Sequence, residues 1–389
     1  MDVEKLKTAV IEQIDANRQR LSELARNIHD NPELGFQEFK AAAWLTQFLE
    51  ENGFAVKRGI CRLPTAFRAS YGKGKPVIAL IAEYDALPGV GHACGHNISG
   101  SISIGAAVAA RLAADQFPGC ITVIGTPAEE MYAGKTIMVK RGAFTDLDAA
   151  MMVHSGTSNT ATTRALACQN LYIEFFGQAA HAAARPEMGI NALEAMIQSF
   201  NAINSLRQHI KSSARIHGII TDGGQASNVV PDHSAGDFIV RAEENDYLEE
   251  LKKKVLNCFK GAAAATGARL KYKWDESRYA PMQNNMTLAR LFTDNMESLG
   301  RSTNLPDSGG SGSTDMGNVS QIVPAIHAYV AIAPRGTLLH SPEFAAAAIS
   351  KEAIDGLCDA AKTLAMTVVD LLASPEIMAE VKKEFKGAQ

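Results

Sequence analysis

At 389 residues the chain is longer than a single hydrophobic core usually organises, so two domains are the starting expectation. Its 46% hydrophobic and 21% charged residues are ordinary for a globular protein, and a formal net charge of -4 argues against nucleic acid or an anionic membrane surface as a partner. The start MDVEKLKTAVIEQID mixes acids and bases with apolar residues at helical spacing, unlike a signal peptide, and no apolar run is long enough for a membrane span, which makes a cytoplasmic location the default.

In chain order, Leu6, Val10, Ile14, Leu21, Ala25 and Ile28 mark a first helix, and Pro32 separates it from a second over 36–53. Strands follow over 54–58, 65–71 and 76–82, the last ending in Glu83-Tyr84-Asp85 before Pro88, Gly89 and Gly91 force a loop. That loop carries His92, Cys94 and His96, and thiolate and imidazole are the side chains best suited to borderline-soft divalent metals. An Ala-rich helix over 99–114 has the small residues of close packing on a sheet. Strand 120–125 ends at Thr126-Pro127-Ala128-Glu129-Glu130, and strand 148–153 ends at His154-Ser155-Gly156. Strands alternating with helices imply a mainly parallel sheet, and such sheets bind ligands beyond their carboxyl ends. Cys94, His96, Glu129, Glu130 and His154 are thereby directed to one crevice. The six cysteines lack framework spacing, which suits a reducing compartment, and all except Cys94 read as buried small apolar residues.

From 168 to 280 the rhythm changes to strand 169–177, helix 189–210, strand 215–223, strand 234–243, helix 246–266 and strand 268–277. This β-α-β-β-α-β order is the split βαβ, ferredoxin-like motif. It divides the α/β chain into a first domain over 1–167, an inserted domain over 168–280 and a return to the first sheet over 281–389. The last part contains a helix over 285–300, a Gly-Ser loop ending at Asp315, strand 326–332, the segment Leu339-His340-Ser341-Pro342-Glu343 and a helix over 344–372. The terminal VKKEFKGAQ reads as a solvated end.

Taken together, DALP, HACGHN, the Glu-Glu pair after a strand, the His at the next strand end, GQAAHAAARPEMGINAL, SNVVPD and LHSPEF resemble the M20 family of metallopeptidases. Within it the chain is most similar to the Cys-containing amidohydrolases, which include auxin-conjugate hydrolases, aminobenzoyl-glutamate hydrolases and aminoacylase-like dipeptidases. The resemblance spans nearly the whole chain. It implies a two-metal catalytic domain interrupted by a ferredoxin-like lid through which the protein forms a homodimer. The metal ligands it implies are Cys94, His96, Glu130, His154 and His340, with Glu129 as general base. Zn²⁺ is the ion favoured by thiolate softness, with Mn²⁺ or Co²⁺ open. His181 is implied to polarise the scissile carbonyl from the partner subunit, Asn228 and Arg241 to bind a substrate carboxylate, and Gly310 and Ser311 to line the substrate pocket. The implied substrate is a small amide: a dipeptide, an N-acyl amino acid or an aminobenzoyl-glutamate-like conjugate.

Two departures qualify the likeness. Many M20 enzymes end the first strand with His-x-Asp, where this chain has Glu83-Tyr84-Asp85. Cys94 then becomes essential, and Asp85 becomes a residue that orients a ligand. Asn97 follows His96 where auxin-conjugate hydrolases tend to have Asp, which moves the chain towards the aminobenzoyl-glutamate and dipeptidase branch. His92 receives no role. Two other readings stand beside this one: a nucleophilic hydrolase with Cys94 as attacker and His96 as base, and a non-catalytic binding protein on the same fold.

Overall fold

The computed structural model describes residues 2–304 and 312–387. Their contacts define two units, one of 2–164, 282–304 and 315–387, the other of 165–281 and 312–314.

The first unit begins with α1 (Val3–Asp30), α2 (Phe39–Glu51), β1 (Ala55–Arg58), β2 (Phe67–Lys73), β3 (Val77–Ala82), α3 (His96–Ala114) and β4 (Gly119–Gly125). Short helices α4 (Glu129–Tyr132) and α5 (Gly134–Lys140) precede β5 (Ala149–Gly156). The second unit consists of β6 (Ala167–Phe176), α6 (Ala192–Leu206), β7 (Arg215–Asp222), β8 (His233–Ala242), α7 (Asn245–Thr266) and β9 (Arg269–Tyr279). The chain then returns to the first unit with α8 (Met286–Ser298), α9 (Met316–Ser320), β10 (Ala325–Ala331), α10 (Pro342–Ala347), α11 (Lys351–Ala373) and α12 (Pro375–Gly387).

The first unit holds a six-stranded sheet in the order β1-β2-β4-β3-β5-β10. β4, β3, β5 and β10 run parallel, while β1 and β2 add an antiparallel edge. β3 is buried at every position, which is why its sequence VIALIA is apolar without alternation. The small residues of α3 let it lie close to the sheet: a Cβ at Gly100 would stand 2.6 Å from the Glu83 carbonyl oxygen. Because four parallel strands finish on the same side, the segments that follow β3, β4, β5 and β10 share one crevice.

The second unit has the strand order β7-β8-β6-β9, antiparallel throughout, with α6 and α7 packed on its apolar core. Strand and helix order match the split βαβ pattern. Among the described residues no helix is long and apolar enough to cross a membrane.

Several sequence expectations are corrected. α3 begins at His96 rather than Ser99, because Gly95 in the left-handed region (φ 70°) turns the loop directly into the helix. β5 continues through His154 to Gly156, held by pairing with β10. The helix expected over 344–372 is two helices, with Ser350 capping the second. Of the end expected to be solvated, 381–387 belong to α12, which is anchored by buried Met378 and Val381, while 382–387 are exposed or partly exposed as expected. Cys168 and Cys358 are buried as expected, whereas Cys61, Cys120 and Cys258 are partly exposed.

Candidate metal centre

Cys94 and His96 stand on either side of Gly95, where a Cβ would come within 2.1 Å of Ser155 Oγ, so the turn tolerates only glycine. That serine hydroxyl donates to the Cys94 carbonyl at 2.7 Å and ties the loop after β3 to the end of β5. Asp85 organises two donors at once: Oδ1 lies 3.0 Å from His96 Nδ1, and Oδ2 accepts from the Glu130 amide at 3.0 Å. With Nδ1–H committed to Asp85, the His96 Nε2 lone pair faces the crevice. His154 is oriented in the same way, its Nδ1 2.6 Å from the Ser155 carbonyl and its Nε2 3.5 Å from Cys94 Sγ. His340 enters from the segment after β10, its amide donating to the Ala93 carbonyl at 2.8 Å and its Nε2 3.4 Å from Glu130 Oε2.

Four groups of donors converge among the described residues, and two of them share a thiolate. Cys94, His96 and His154 form one and Cys94, Glu130 and His340 the other, the ligand atoms in each lying within 4.8 Å of one another. Cys94 belongs to both. His96 Nε2 and Glu130 Oε1 are buried without a hydrogen-bond partner, an arrangement that costs stability unless something else satisfies them. Sulfur, imidazole and carboxylate donors converging on orphaned lone pairs fit two divalent cations. Glu129 lies within 4.8 Å of His96 and Glu130 through its carboxylate and also of Glu83 and Asp315.

Charge is heavily concentrated behind this centre. Lys135 is fully buried, ion-paired to Glu83 and, at 2.7 Å, to Asp315 Oδ1, while its amide donates to Asp315 Oδ2 at 2.8 Å. Burial acts to lower the Lys135 pKa, but Asp315, Glu83 and Glu129 outweigh it and hold the ammonium well above its ordinary value. Burial, then the charges of Glu83, Asp315 and Glu130, push the Glu129 carboxyl well up. Burial likewise raises the Cys94 thiol, the opposite of what a nucleophilic cysteine needs, and a bound dication would restore the thiolate. His154 Nε2, 3.5 Å from Sγ, and His96 both stand beside the thiol, so it is flanked by two imidazoles rather than paired with one dedicated base.

The second unit presents the remaining candidates. His181 Nδ1 accepts from the amides of Ala183 and Ala184 at 3.2 Å each, which makes its Nε2 the protonated nitrogen. The Ala182 amide donates to the Asn228 carbonyl at 2.9 Å, so the segments carrying His181 and Asn228 lie side by side. Arg241 on β8 donates from Nη1 to Ser313 Oγ at 2.6 Å and from Nε to His217 Nε2 at 3.3 Å. Gly310 and Ser311 lie outside the described residues.

Residues 79–368 match Peptidase family M20/M25/M40. The chain belongs to this family. It is 37% identical to the Xaa-Arg dipeptidase of Mus musculus over 99% of this chain and 93% of that protein. It is 31% identical to a p-aminobenzoyl-glutamate hydrolase chain of Escherichia coli (strain K12), covering 96% of this chain and 93% of that one. A dinuclear metal binding peptidase of the M20 family from Bacillus subtilis shares the fold, with a TM-score of 0.73 at 22% identity over 92% of this chain and 99% of that one. This M20 chain is accordingly a hydrolase of C–N bonds, and its donor set fits the two divalent ions of such a fold.

Some of the residues that shape this M20 site give little sign of themselves in the sequence. Lys135 looks like any helix lysine, although its setting between Gly134 and the run Thr136-Ile137-Met138 is unusually small and apolar for a solvated charge. Asp315 stands out only as the end of a polar loop. His327 on β10 is 1% exposed, its ring 5.6 Å from that of His154 and stacked on Tyr329 at 5.2 Å. Burial, then the His154 charge, lower its pKa to about 3. In the second unit, His217 beside Arg241 becomes visible only through the pairing of β7 with β8. His92, its ring 6.2 Å from that of His29, joins none of the donor groups found among the described residues.

Proposed function

We propose that this M20 chain is a dipeptidase that cleaves the amide bond next to a free carboxylate, with dipeptides ending in arginine as the first substrates to examine. The names of its relatives support the substrate class. The observation that carries the mechanism is the sharing of Cys94 by two donor groups, with Glu129 beside them.

In this reading Cys94, His96 and His154 hold one ion and Cys94, Glu130 and His340 the other. Divalent ions held by these residues would supply Lewis acidity towards the scissile carbonyl and would lower the pKa of water towards neutrality. Glu129 takes the water proton onto its carboxylate as the oxygen adds to the carbonyl carbon, then delivers it to the amine nitrogen as the C–N bond breaks. Asp85 keeps His96 in the tautomer that ligation requires. Arg241 offers a fork matched to the substrate carboxylate and Asn228 an amide donor, while the partner subunit's His181 supplies a donor to the developing oxyanion. Dimer formation would use β7, an edge strand with Ile219 and Ile220 exposed. Zn²⁺ suits the thiolate best, and six unpaired cysteines suit a cytoplasmic setting.

The test is turnover of a panel of dipeptides, N-acyl amino acids and aminobenzoyl-glutamate by protein loaded with Zn²⁺, Mn²⁺ or Co²⁺ and by protein treated with chelator. Hydrolysis of Xaa-Arg dipeptides that disappears on chelation and returns with metal is expected. Full activity after verified metal removal would overturn the mechanism, and preference for another member of the panel would overturn the substrate.

A further inference from the structure

The sequence NPELGFQEF, between the first two helices, forms a loop that grips the segment bearing Glu129 and Glu130 in three places. Glu38 is fully buried, and its Oε1 accepts from the Ala128 amide at 2.8 Å while its Oε2 accepts from Thr65 Oγ1 at 2.8 Å. Gly35 lies against the same alanine: a Cβ there would stand 2.9 Å from Ala128 Cβ. Phe36 stacks on Tyr132, ring centres 5.2 Å apart and planes inclined by 23°. The loop also touches the other side of the crevice, where the Ala86 amide, next to Asp85, donates to the Glu33 carbonyl at 2.8 Å.

What is gripped needs gripping. Ala128 sits in the left-handed region at φ 60° and ψ 43°, a conformation that an alanine does not adopt without support. The helix that follows has four residues, too few to fix its own direction, and Ala133 at its other end is left-handed as well. The strained residue decides where Glu129 and Glu130 diverge, so the orientation of both carboxylates depends on what stabilises Ala128. Without an acceptor its amide would be a buried orphan donor, and relaxation to ordinary helical backbone would swing Glu129 away.

We infer that Glu38 is a positioning residue for hydrolysis, holding the Ala128 amide so that the strained turn presents Glu129 to the reacting centre. This rests on the reading of Glu129 as general base. The hydrogen-bonding reach of Glu38 matters here rather than its charge. Consistent with that, burial, then the neighbouring Asp85 charge, raise its carboxyl to about 7, so the neutral form is readily populated.

Three substitutions separate reach from charge. Glu38→Gln keeps an acceptor for the Ala128 amide and a partner for Thr65 but removes the charge. Glu38→Asp keeps the charge but is one methylene short, and Glu38→Ala lacks both. Each is measured as kcat and KM per metal-loaded site, with metal content and unfolding midpoint determined in parallel. The Gln variant should stay within about threefold of wild type in kcat. The Asp and Ala variants should lose roughly 10- to 100-fold in kcat with little change in KM, the scale of effect that a small misplacement of a reacting group produces. If Glu38→Ala does not fold, the Gln and Asp pair still decides. Wild-type kcat in the Asp variant, a Gln variant as impaired as the Asp variant, or a loss fully restored by added metal would each overturn the inference.

A second background separates this inference from the reading beneath it. In a Glu129→Gln chain, Glu38→Asp should cost nothing further, since a device that aims the base has no use once the base is gone. A full additional loss in that background would mean that Glu38 acts elsewhere. A Glu129→Gln enzyme that is itself active would instead refute the general base, whatever the Glu38 variants do.

Discussion

Lys135 Nζ lies 2.7 Å from Asp315 Oδ1, with both side chains sealed from solvent and the Glu83 carboxylate paired to the same ammonium. One cation thus neutralises part of a group that also includes Glu129. Removing it leaves buried carboxylates uncompensated, which is far costlier than never having built the pair. Lys135→Met should lower the unfolding free energy by about 3–5 kcal/mol, measured by urea denaturation of chelator-treated protein. A change within about 0.5 kcal/mol would show that the carboxylates relax to protonated, hydrogen-bonded forms at little cost.

Because Cys94 is common to two donor groups and His340 belongs to one, their substitutions should differ in kind. Cys94→Ala should strip both ions from dialysed protein, whereas His340→Ala should retain roughly half of the wild-type metal. Elemental analysis against protein concentration gives the answer. Equal and complete loss in both variants would mean that the two positions fill only together.

Replacing Glu129 by Gln should leave metal content intact while lowering kcat by at least about 10²–10⁴, the usual range for general-base catalysis. The same protein should still bind substrate, which equilibrium dialysis with a labelled dipeptide can follow. Loss of metal in step with loss of rate would reassign Glu129 as a ligand.

How far the sequence discloses this centre depends on how each residue reaches it. Cys94, His96 and Glu130 follow the ends of β3 and β4 and His154 lies near the end of β5, so apolar runs giving way to polar residues locate them without a structure. His340 needs the family likeness, since it lies well past the end of β10 at Ala331. Glu38, Lys135 and Asp315 are not legible, because a buried charge is recognisable only by its partner and those partners lie 90, 52 and 180 positions away. The fold is legible where the pattern is strong, as in the unbroken apolar run of β3 and the helical periodicity of α7. It is obscured where local conformation decides, as at Gly95, which starts α3 early, and in α12, where a charged face hides a short apolar stripe.

Asp148 offers a pH-dependent contribution outside the candidate metal donors. It sits just before β5 and accepts from the Val77 amide at 2.7 Å, with Lys75 at 2.9 Å and Lys382 at 2.6 Å. Burial acts against the charged form, but Lys382, the Val77 amide and Lys75 outweigh it and hold the pKa below the ordinary 3.8. With a depressed native value, the stabilisation is fully present above about pH 4 and is lost as pH falls through the native pKa. Asp148→Asn should therefore cost about 1–2 kcal/mol at neutral pH, and its deficit should shrink as pH falls through that acid range. Urea midpoints of chelator-treated wild type and variant between about pH 3 and pH 7 test this, and a constant difference across that range would exclude the ionised carboxylate as the cause.

The last expectation concerns whether two chains build one site. His181 uses Nδ1 to accept backbone amides, which leaves Nε2–H as a donor, and the edge strand β7 carries exposed Ile219 and Ile220. A sheet edge of that kind is suited to pairing with its twofold mate. If the partner subunit's His181 serves each metal centre, His181→Ala and Glu129→Gln proteins, each nearly inactive alone, should complement when mixed after dissociation. A hybrid dimer then has one centre with both defects and one with neither. Random pairing makes half of the dimers hybrids, and half of the sites in each are intact, so recovery should approach about a quarter of wild-type activity. Subunit exchange is verified independently by native mass spectrometry. Exchange without recovery would assign His181 to its own chain's centre or to no catalytic role, and a monomer in solution would remove the premise.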